Sequence, residues 1–495
     1  CNRRCEDACT RGRVDAAVAI DEVKKFIAQR DLDAATRYVP PVVTPTRAGG
    51  FDQKIAIIGA GPAGLSCAFY LAEKGYKPVV FEKNERPGGM LTYGIPSFKL
   101  EKDVIEAEVE VIRLMGAEFR YGVEVGRDVT LDELREQGFK AFYVAIGCQG
   151  GRLAGIPGED AEDVTVAVDF LREVNSGKID ALLGRTIVVG GGNVAIDVAR
   201  NACRLGSEHV EMFCLESEAQ MPASEEERRE AIEDGAHISC GWGPKEVHLD
   251  DAGRVCGITF KRCTRVFDDE GRFAPEYDEN DLRRVDADRV VMSIGQSIVW
   301  GDLLAGSKVE LGRGQGALAD PQTYQTAEPD IFVGGDVYTG PSFAIDAIAA
   351  GHEAAVSIHR FVQPGSTLTI GRNQRRYTAL DRDDVVIESY DNASREVARV
   401  DREREKAAPF SEYVETFTEE QVRAETARCL GCGASIVDPN KCIGCGLCTT
   451  KCAFDAIHLD RDRPECSTMV KYEQKLPSLG KYALKRAIKI KFGKK

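Results

Sequence analysis

The sequence lacks an excess of basic residues. Its 495 residues include 65 lysines and arginines against 80 aspartates and glutamates, which gives a formal net charge of −15. Nucleic-acid binding depends on clustered cations, so this balance argues against a nucleic-acid partner. The chain also lacks HExxH, Walker A and G-x-S-x-G patterns, and so shows no sign of the chemistries that those motifs carry.

The sequence has no charged-then-apolar leader at its start. It begins at Cys1 inside a cysteine-rich stretch, and we expect residues to be missing upstream. The apolar stretch 55–72 contains the letters GAGPAG, which nucleotide binding explains better than membrane insertion. Seventeen cysteines without a leader favour a reducing, cytoplasmic compartment, where cysteines bind metals or fill cores.

A first dinucleotide fingerprint lies in KIAIIGAGPAGLSCAFYLAEKGYKPVVFE. An apolar strand precedes Gly59, Gly61 and Gly64, a helical pattern follows, and a second apolar run ends at Glu82. The glycines allow a tight turn, close approach of a pyrophosphate and close helix–strand packing, while the carboxylate accepts ribose hydroxyls. This pattern predicts a complete dinucleotide-binding unit.

A second fingerprint lies in RTIVVGGGNVAIDVAR. Gly190 and Gly192 keep the first two glycine places and Ala195 takes the third, as the fingerprint allows. The second strand of this unit is predicted to end around residues 214–216. Two such units, with DIFVGGDV following at 330–337, indicate a flavin domain interrupted by a nicotinamide domain. This order resembles that of the two-dinucleotide flavoprotein oxidoreductases.

Three further stretches carry a closer resemblance: RPGGMLTYGIPSFKL, AFYVAIGCQGG and GPSFAIDAIAAG. They resemble the small subunit of NADPH-dependent glutamate synthase, the flavoprotein half of dihydropyrimidine dehydrogenase and the large subunit of NADH-dependent ferredoxin:NADP oxidoreductase. The resemblance covers roughly residues 1–362. It implies an α/β protein with two Rossmann-like domains, flanked by a helical iron–sulfur segment and a C-terminal ferredoxin-like domain.

On this basis we expect the FAD domain at 51–155 and 297–363, with the NAD(H) domain inserted at 156–296. Residues 1–50 are expected to form the end of the helical iron–sulfur domain. Residues 364–428 are expected to form a polar connector, and 429–495 the ferredoxin-like domain. The fingerprints and the resemblance together assign to the FAD site Gly59, Gly61, Pro62, Ala63, Gly64, Glu82, Lys83, Gly89, Met90, Leu91, Gly147, Gly335 and Asp336. They assign to the nicotinamide site Gly190, Gly192, Asn193, Val194, Glu216 and Gly295.

The residues after the second strand predict the choice of nicotinamide nucleotide. Where NADPH-using relatives resemble Tyr-Arg-Arg, this chain has Cys214, Leu215 and Glu216. A 2′-phosphate needs a cation, whereas a free 2′-hydroxyl is matched by a carboxylate, which also repels the phosphate. We therefore predict NADH over NADPH. Arg200 and Arg204 are the cations that would reverse this preference.

The N-terminal stretch CNRRCEDACTRG resembles the end of the iron–sulfur domain of these relatives. The resemblance implies cluster ligands at Cys1, Cys5 and Cys9, although the four-residue spacing also fits one buried face of a helix. Lys24 stands where several relatives add a Glu or Gln ligand. Either a missing cysteine completes this cluster or one cluster is absent.

The stretch KCIGCGLCTTKC matches the ferredoxin run C-x2-C-x2-C-x3-C, except that Ala453 replaces the usual proline. This run predicts at least one [4Fe-4S] cluster, and further cysteines nearby leave a second one open. The ligands considered for this end are Cys442, Cys445, Cys448, Cys452, Cys429, Cys432 and Cys466. The basic tail after residue 469 is either solvated or docks onto an acidic subunit.

These patterns together predict an FAD-containing, NADH-dependent electron-transfer subunit of a hetero-oligomer, which passes electrons to or from its partner, because a flavin links two-electron NADH to one-electron clusters. The partner is a second oxidoreductase or a ferredoxin-type subunit. The alternatives are an NADPH-dependent glutamate synthase small subunit, an electron-bifurcating ferredoxin:NAD(P) oxidoreductase subunit, and an assembly scaffold without turnover. A thiol reductase is disfavoured, because no C-x-x-C joins the cysteines between 203 and 263.

Overall fold

A computed structural model describes residues 3–33, 35–42, 50–372, 381, 387, 390–432, 437, 441–452, 457–459 and 471–492. The described strands are β1 (Lys54–Ile58), β2 (Val79–Glu82), β3 (Glu118–Tyr121), β4 (Phe139–Val144), β5 (Gly150–Gly151), β6 (Val164–Val166), β7 (Arg185–Val189), β8 (His209–Cys214), β9 (His237–Cys240), β10 (Trp242–Leu249), β11 (Val255–Phe267), β12 (Phe273–Val285), β13 (Arg289–Met292), β14 (Gln296–Ser297) and β15 (Ile331–Val333).

The described helices are α1 (Arg4–Asp7), α2 (Ile20–Asp31), α3 (Pro62–Glu73), α4 (Met90–Tyr93), α5 (Lys102–Leu114), α6 (Leu131–Glu136), α7 (Ala167–Asn175), α8 (Asn193–Arg204), α9 (Glu225–Glu233), α10 (Asp336–Thr339), α11 (Ala344–Val362), α12 (Arg402–Ala407), α13 (Glu419–Ala427), α14 (Leu447–Lys451) and α15 (Tyr472–Phe492). The chain divides into two compact units, one with Cys1–Ile370 and Val386–Leu430, the other with Gly371–Val385 and Gly431–Lys495.

The first sheet of the larger unit contains five parallel strands in the order β15-β4-β1-β2-β3. The last four residues of β1 are buried, which is typical of a strand covered on both faces. α3 begins at Pro62, and proline suits the first helical position because the N–H it lacks would have no partner there. β15 returns to pair with β4 after the whole second sheet has been formed from the intervening chain.

The second sheet also contains five parallel strands, in the order β6-β13-β7-β8-β9. β7 leads through the second glycine turn into α8, and β8 follows as the neighbouring strand. The two parallel sheets confirm the predicted α/β class with two Rossmann-like domains.

A third, antiparallel sheet in the order β10-β11-β12 extends from the second one and was not anticipated from the sequence. Its long strands β11 and β12 are charged on the exposed face and bury residues such as Ile258 and Phe260 on the other. Ile258 and Phe260 pack with Phe213 of β8 and residues of β7 and β13 in one core. The alternation of buried and exposed residues along these strands is irregular, because register shifts interrupt both the β10–β11 and the β11–β12 pairing.

Residues 390–428 pack against the N-terminal segment, so the predicted connector has a structural role of its own. Arg11 and Arg428 are each 1% exposed, and the Arg11 guanidinium donates to the Arg428 carbonyl at 3.0 Å. The Glu425 carboxylate accepts from the N–H groups of Ala19 at 2.8 Å and Glu396 at 2.7 Å. Within the predicted polar connector, Glu425 and Arg428 therefore form buried ion pairs and hydrogen bonds, whereas Arg402 and Arg404 are exposed.

The smaller unit includes α14, which lies within the ferredoxin-like cysteine run, and the exposed helix α15. Within the described ranges, none of the helices has both the length and the apolar character that crossing a bilayer requires.

Candidate functional site

The first glycine turn brings β1 and α3 into close contact. A Cβ atom on Gly64 would lie 1.9 Å from the Gly59 carbonyl oxygen, so only glycine fits there. Gly59 has a φ of +104°, which an L-side chain rarely adopts. The turn therefore places the first N–H groups of α3 at the carboxyl end of the first sheet, where a phosphate group is stabilised by the helix terminus.

Glu82, at the end of β2, is tied to the same turn. Its carboxylate accepts from the Ala60 N–H at 2.8 Å and from the Asn84 backbone and side-chain N–H groups at 2.9 and 2.6 Å. These contacts use three of the roughly four acceptor positions of a carboxylate. Glu82 thus fixes the glycine turn as well as lining the site, a second role that the sequence did not show.

A cavity of about 270 Å³ opens at this edge of the sheet. The predicted residues that line it are Gly59, Gly61, Pro62, Ala63, Glu82, Lys83, Gly89, Met90, Leu91, Gly147, Gly335, Asp336 and, from the second fingerprint, Val194. Gly64 packs beneath the turn, and the remaining predicted nicotinamide residues Gly190, Gly192, Asn193, Glu216 and Gly295 are not among the residues of this wall. The cavity therefore joins the first sheet to the start of α8.

Asp336 and the glycine before it close another side of the cavity. Gly335 has a φ of +66° and a ψ of −153°, a conformation that belongs essentially to glycine. A Cβ atom added to Gly335 would lie only 3.0 Å from the Ala63 Cβ atom. The Asp336 carboxylate accepts from the Ser342 N–H at 3.3 Å. Burial raises the pKa of Asp336 above its ordinary value.

Several cavity residues were not predicted, among them Gln149, Asp197, Gln296, Trp300 and Phe343. Signals for two of them were present: Phe343 lies in the GPSFAIDAIAAG stretch, and Asp197 follows Val194 by one helical turn. Trp300 lies outside both dinucleotide fingerprints and outside the three stretches that carry the family resemblance. Its place in the cavity wall is therefore seen only in the folded chain.

The wall has the composition that a flavin dinucleotide requires. Gly61 and Gly89 face each other, with an added Cβ on Gly89 lying 3.0 Å from the Gly61 Cα atom, so side chains there would fill the cradle. The helix terminus and Glu82 supply the polar contacts, while Leu303 and Trp300 add apolar surface. The residues present therefore fit FAD.

The second glycine turn is built in the same way. A Cβ on Gly191 would lie 3.0 Å from a carboxylate oxygen of Glu216, which places that carboxylate beside the turn between β7 and α8. The Glu216 carbonyl accepts from the Gly241 N–H at 2.9 Å, which fixes the backbone after β8. By strand register Cys214 occupies the place that Glu82 has in the first unit, and Glu216, two residues further along, brings its carboxylate to the second turn.

Arg200 and Arg204, the two cations that were candidates for binding a 2′-phosphate, are engaged elsewhere. Their side chains are 1% and 5% exposed, and both donate to the Asp234 carboxylate, at 2.7 and 2.9 Å. Arg200 also donates to the Tyr413 hydroxyl at 2.8 Å, and Arg204 to the Glu405 carboxylate at 2.9 Å. These arginines anchor residues 405–413 to α8 rather than facing the nucleotide turn.

Two cysteines that are distant in sequence meet beside Glu216. The Cys214 and Cys240 sulfur atoms are 3.7 Å apart at the paired ends of β8 and β9. Burial, together with the Cys240 thiol and Glu216, raises the pKa of Cys214 well above its ordinary value. The thiol therefore stays protonated and packs as an apolar group rather than acting as a nucleophile.

A comparison with protein families decides the classification. Residues 53–351 match the model described as pyridine nucleotide-disulphide oxidoreductase, and residues 435–458 match the model described as 4Fe-4S binding domain. The chain belongs to the pyridine nucleotide-disulphide oxidoreductase family. It is an FAD- and NAD(P)-type oxidoreductase with an added 4Fe-4S binding domain.

Curated relatives of this oxidoreductase include subunits of larger enzymes. It is 34% identical over 461 residues to the NADP(+)-dependent formate dehydrogenase subunit beta of Moorella thermoacetica, covering 87% of this chain but only 64% of that protein. It is 34% identical to the glutamate synthase [NADPH] small chain of Escherichia coli K12, over 73% of this chain and 79% of that one. For the NAD-dependent dihydropyrimidine dehydrogenase subunit PreT of the same strain, identity is 32%, over 72% and 79%.

Among solved structures, Mycobacterium tuberculosis FprA in complex with NADPH matches 63% of this chain and 84% of its own, with a TM-score of 0.53 and 19% identity. At that identity the likeness concerns the fold alone. The resemblance to the glutamate synthase small subunit and dihydropyrimidine dehydrogenase, drawn from short motifs, is confirmed by these relatives.

The cysteines predicted as cluster ligands fall into two groups along the sequence. Cys5 and Cys9 lie half-buried at the N-terminus, while Cys1 and Cys466 lie outside the described residues. Lys24 forms an ion pair with Asp21 at 3.4 Å. Cys429 ends the larger unit, and the smaller one holds Cys432, Cys442, Cys445, Cys448 and Cys452.

The thiols of the C-terminal run have the right chemistry for a cluster but are not gathered around one. Four thiolates at ferredoxin spacing form the donor set of a [4Fe-4S] centre. Nevertheless, no three His, Cys, Asp or Glu side chains of the described ranges are arranged to hold a metal ion. The 4Fe-4S assignment therefore rests on the family match over 435–458.

Proposed function

We propose that this oxidoreductase is an NADH-dependent electron-transfer subunit that passes electrons between NAD(H), FAD and iron–sulfur clusters, to or from a partner oxidoreductase. The observation that carries the proposal is the Glu216 carboxylate beside the second glycine turn. A carboxylate there accepts a hydrogen bond from a ribose 2′-hydroxyl and repels a 2′-phosphate. The buried ion pairs of Arg200 and Arg204 support it, because they remove the cations that would favour NADPH.

The proposed FAD site consists of the first glycine turn, Glu82, the Gly335–Asp336 turn and the cavity between them. The N-terminus of α3 binds the pyrophosphate, and Glu82 accepts the ribose hydroxyls while holding the turn through the Ala60 N–H. A bound flavin supplies the conversion between hydride transfer and single-electron transfer. The side chains position the cofactors and exclude water; none is needed as a nucleophile.

In the proposed nicotinamide site, Gly190, Gly192 and Asn193 form the turn at the start of α8. The Asn193 side-chain oxygen accepts from the Ser224 N–H at 3.2 Å, which ties α9 to this turn. Val194 reaches the wall of the flavin cavity, so α8 brings the nicotinamide site next to the flavin site. Gly295 precedes Gln296, which lines the same cavity.

NADPH is the second candidate, and one residue favours it. Arg262 is exposed, and its guanidinium carbon lies 3.2 Å from where a Cβ on Gly241 would be, while the Gly241 N–H donates to the Glu216 carbonyl. A cation at this corner is in reach of a 2′-phosphate. The names of the formate dehydrogenase and glutamate synthase relatives, which specify NADP(+) and NADPH, point the same way.

The deciding experiment is an anaerobic titration of the purified holoprotein with NADH and, separately, with NADPH. We expect NADH to bleach the flavin absorbance at far lower concentration and reduced-cluster signals to follow in electron paramagnetic resonance spectra. A preference for NADPH would overturn the nucleotide assignment and favour a glutamate-synthase-like or ferredoxin:NADP role. A protein that neither nucleotide bleaches would instead be a scaffold.

The proposed electron-transfer path from the flavin to the partner runs through a C-terminal [4Fe-4S] cluster. Its proposed ligands are Cys442, Cys445, Cys448 and Cys452, and the candidates for a second cluster are Cys429, Cys432 and Cys466. Cys1, Cys5 and Cys9 are proposed as ligands of a cluster that residues upstream complete. Iron and sulfide analysis of the anaerobically purified protein counts these clusters. A Cys445→Ser variant removes only the C-terminal contribution if the two groups are independent.

We propose that α15 docks this cytoplasmic subunit onto an acidic helix of its partner. The helix carries six lysines and arginines and one glutamate, in a chain with a net charge of −15. Some of its residues are spaced like a helix–helix seam: Tyr472, Leu476, Leu479, Ala483, Ala487 and Ile490. Four further apolar side chains are exposed outside this seam: Tyr482, Leu484, Ile488 and Phe492.

Charge reversal of Lys485 and Arg486 tests this docking. We expect the double Glu variant to lose a co-purifying redox subunit that the unaltered chain retains at low salt and releases at high salt. Reversal of the exposed Lys178 and Arg229 in the larger unit is the matched control. Binding of the unaltered chain to anionic vesicles instead of a redox subunit would contradict the proposal.

A further inference from the structure

Asp197 connects the flavin cavity to a chain of charged groups. It lies on α8 and lines the cavity, and its Oδ1 atom is 2.6 Å from the Lys99 Nζ atom. The same ammonium group contacts the Glu227 carboxylate at the start of α9. The side chains of Asp197, Lys99 and Glu227 are 13%, 20% and 24% exposed, so the three groups form a path from the cavity towards solvent.

The other carboxylates of the cavity wall are engaged differently. Glu82 accepts from N–H groups of the glycine turn, Asp336 accepts from the Ser342 N–H, and Glu124 is paired with Arg127 at 2.6 Å. Asp197 differs from them because an ammonium group links it to a second carboxylate.

The groups around Asp197 adjust its affinity for a proton. Burial raises the pKa of Asp197 to about 6, with Lys99 opposing and Glu227 adding to the shift. Arg200, on the same helix as Asp197, also opposes the rise in the Asp197 pKa. Its guanidinium contacts Glu230 of α9 and Asp234 in the turn after α9. Lys102, the first residue of α5, also faces this cluster, and burial lowers its pKa to about 8.

When the proposed reaction runs in the direction of NADH oxidation, a proton must leave this site. One NADH and two oxidised one-electron acceptors give NAD+, one proton and two reduced acceptors; the C4–H bond of NADH breaks, its two electrons leave singly, and its hydrogen leaves as H+. This follows from the proposed function, in which the acceptors are iron–sulfur clusters. The proton must depart from a cavity whose wall offers few groups able to accept it.

We propose that Asp197, held in place by Lys99, accepts this proton and releases it to the solvent beside Glu227. Asp197 then acts in the second half of the cycle, when electrons leave the flavin, and not in the first half, which moves a hydride. Lys99 has two tasks: it orients the Asp197 carboxylate, and it joins the segment before α5 to α8 and α9.

The test is D197N, which keeps the shape of the side chain and removes its ability to accept a proton. Stopped-flow absorbance of the holoprotein measures bleaching by NADH, and a second mixing with ferricyanide, a one-electron acceptor, measures the return of the flavin colour. We expect the second rate, that of colour return, to fall by roughly 100-fold or more while the first rate, that of bleaching by NADH, stays unchanged, because general-base contributions are typically of that size. The control is D169N, because Asp169 on α7 carries a carboxylate that is 57% exposed.

The pH profile separates proton transfer from a structural role. Asp197 accepts a proton only as the carboxylate, so the second rate of the unaltered protein should rise as pH increases through about 6. D197N should lose this rise, and Lys99→Arg, which keeps the ion pair, should retain it. Equal slowing of both rates with an unchanged pH profile would overturn the inference; failure of both NADH and NADPH to bleach the unaltered protein would instead overturn the proposed function.

Discussion

Arg428 and Glu425 form an ion pair of 2.7 Å in which neither side chain reaches solvent, with exposed fractions of 1% and 0%. Arg428 also donates to the Ala16 carbonyl at 2.7 Å, and Glu425 accepts from the Ala19 N–H. One pair thus joins α13 to the N-terminal segment, more than 400 residues away in sequence.

Replacing Arg428 with methionine should destabilise this contact strongly. The change leaves Glu425 as an uncompensated buried charge, and breaking such a pair costs about 3–5 kcal/mol. Urea unfolding followed by circular dichroism measures the loss. Arg423→Met on the same helix is the control, because Arg423 is 76% exposed and its pair with Glu419 should contribute about 0–1 kcal/mol. Similar losses in both variants would contradict the assigned role.

Exchanging Leu215 and Glu216 for arginines should reverse the nucleotide preference. The double variant removes the carboxylate beside Gly191 and supplies cations for a 2′-phosphate. A hydrogen bond to a charged group contributes about 1.5–3 kcal/mol, so the ratio of kcat/KM for NADPH to that for NADH should rise by about 10- to 100-fold. Glu218→Gln, in the same loop, should leave the ratio unchanged. An unchanged ratio in the double variant would point to Arg262 as the deciding residue.

Gly351→Ala should loosen the flavin site without touching the cavity. The helices α3 and α11 approach so closely that a Cβ on Gly351 would lie 2.2 Å from the Ala63 carbonyl oxygen. Relieving this clash must move the start of α3, and overpacking of this kind costs about 1–3 kcal/mol. The measurements are FAD bound per chain and the thermal midpoint. Gly316→Ala, whose added Cβ meets its nearest atom at 3.7 Å, should be neutral.

Cys214 should resist alkylation. Its sulfur atom lies only 3.7 Å from that of Cys240, a closeness that would otherwise suggest a redox-active pair. Alkylation requires the thiolate, and burial raises the pKa of Cys214 well above its ordinary value. Cys256 is partly exposed, whereas Cys214 is buried. Iodoacetamide labelling of the native protein at about pH 8, followed by peptide mass spectrometry, should therefore modify Cys256 at least about tenfold faster. Rapid labelling of Cys214, or a Cys214–Cys240 disulfide in unreduced digests, would show that this pair is a redox site.

The local motifs predicted much of the fold and the first half of the site. Gly59, Gly64 and Glu82 were identifiable because a glycine turn and its carboxylate lie within one strand–helix–strand unit. The α/β class and the two Rossmann-like sheets followed from the same local signals. The FAD and nicotinamide ligand sets as wholes remain predictions.

What the sequence did not show depends on contacts between distant segments. Lys99 meets Asp197 from another domain, and Arg11 meets Arg428 across almost the whole chain, although each reads as an ordinary surface charge. Likewise the charges of residues 390–428 gave no sign that they pair with one another and with the N-terminal segment. Pairing partners of charged side chains have no periodicity that a single sequence could reveal.

The position of β15 beside β4 sets an order for folding during synthesis. β1 to β4 leave the ribosome first, yet the first sheet cannot gain its fifth strand until the chain has passed all five strands of the second sheet. Because domains generally fold as units during synthesis, the inserted unit can be complete while the surrounding one still lacks its edge. A nascent chain released shortly before Ile331 would therefore hold a finished nicotinamide-binding fold next to an unfinished flavin-binding one.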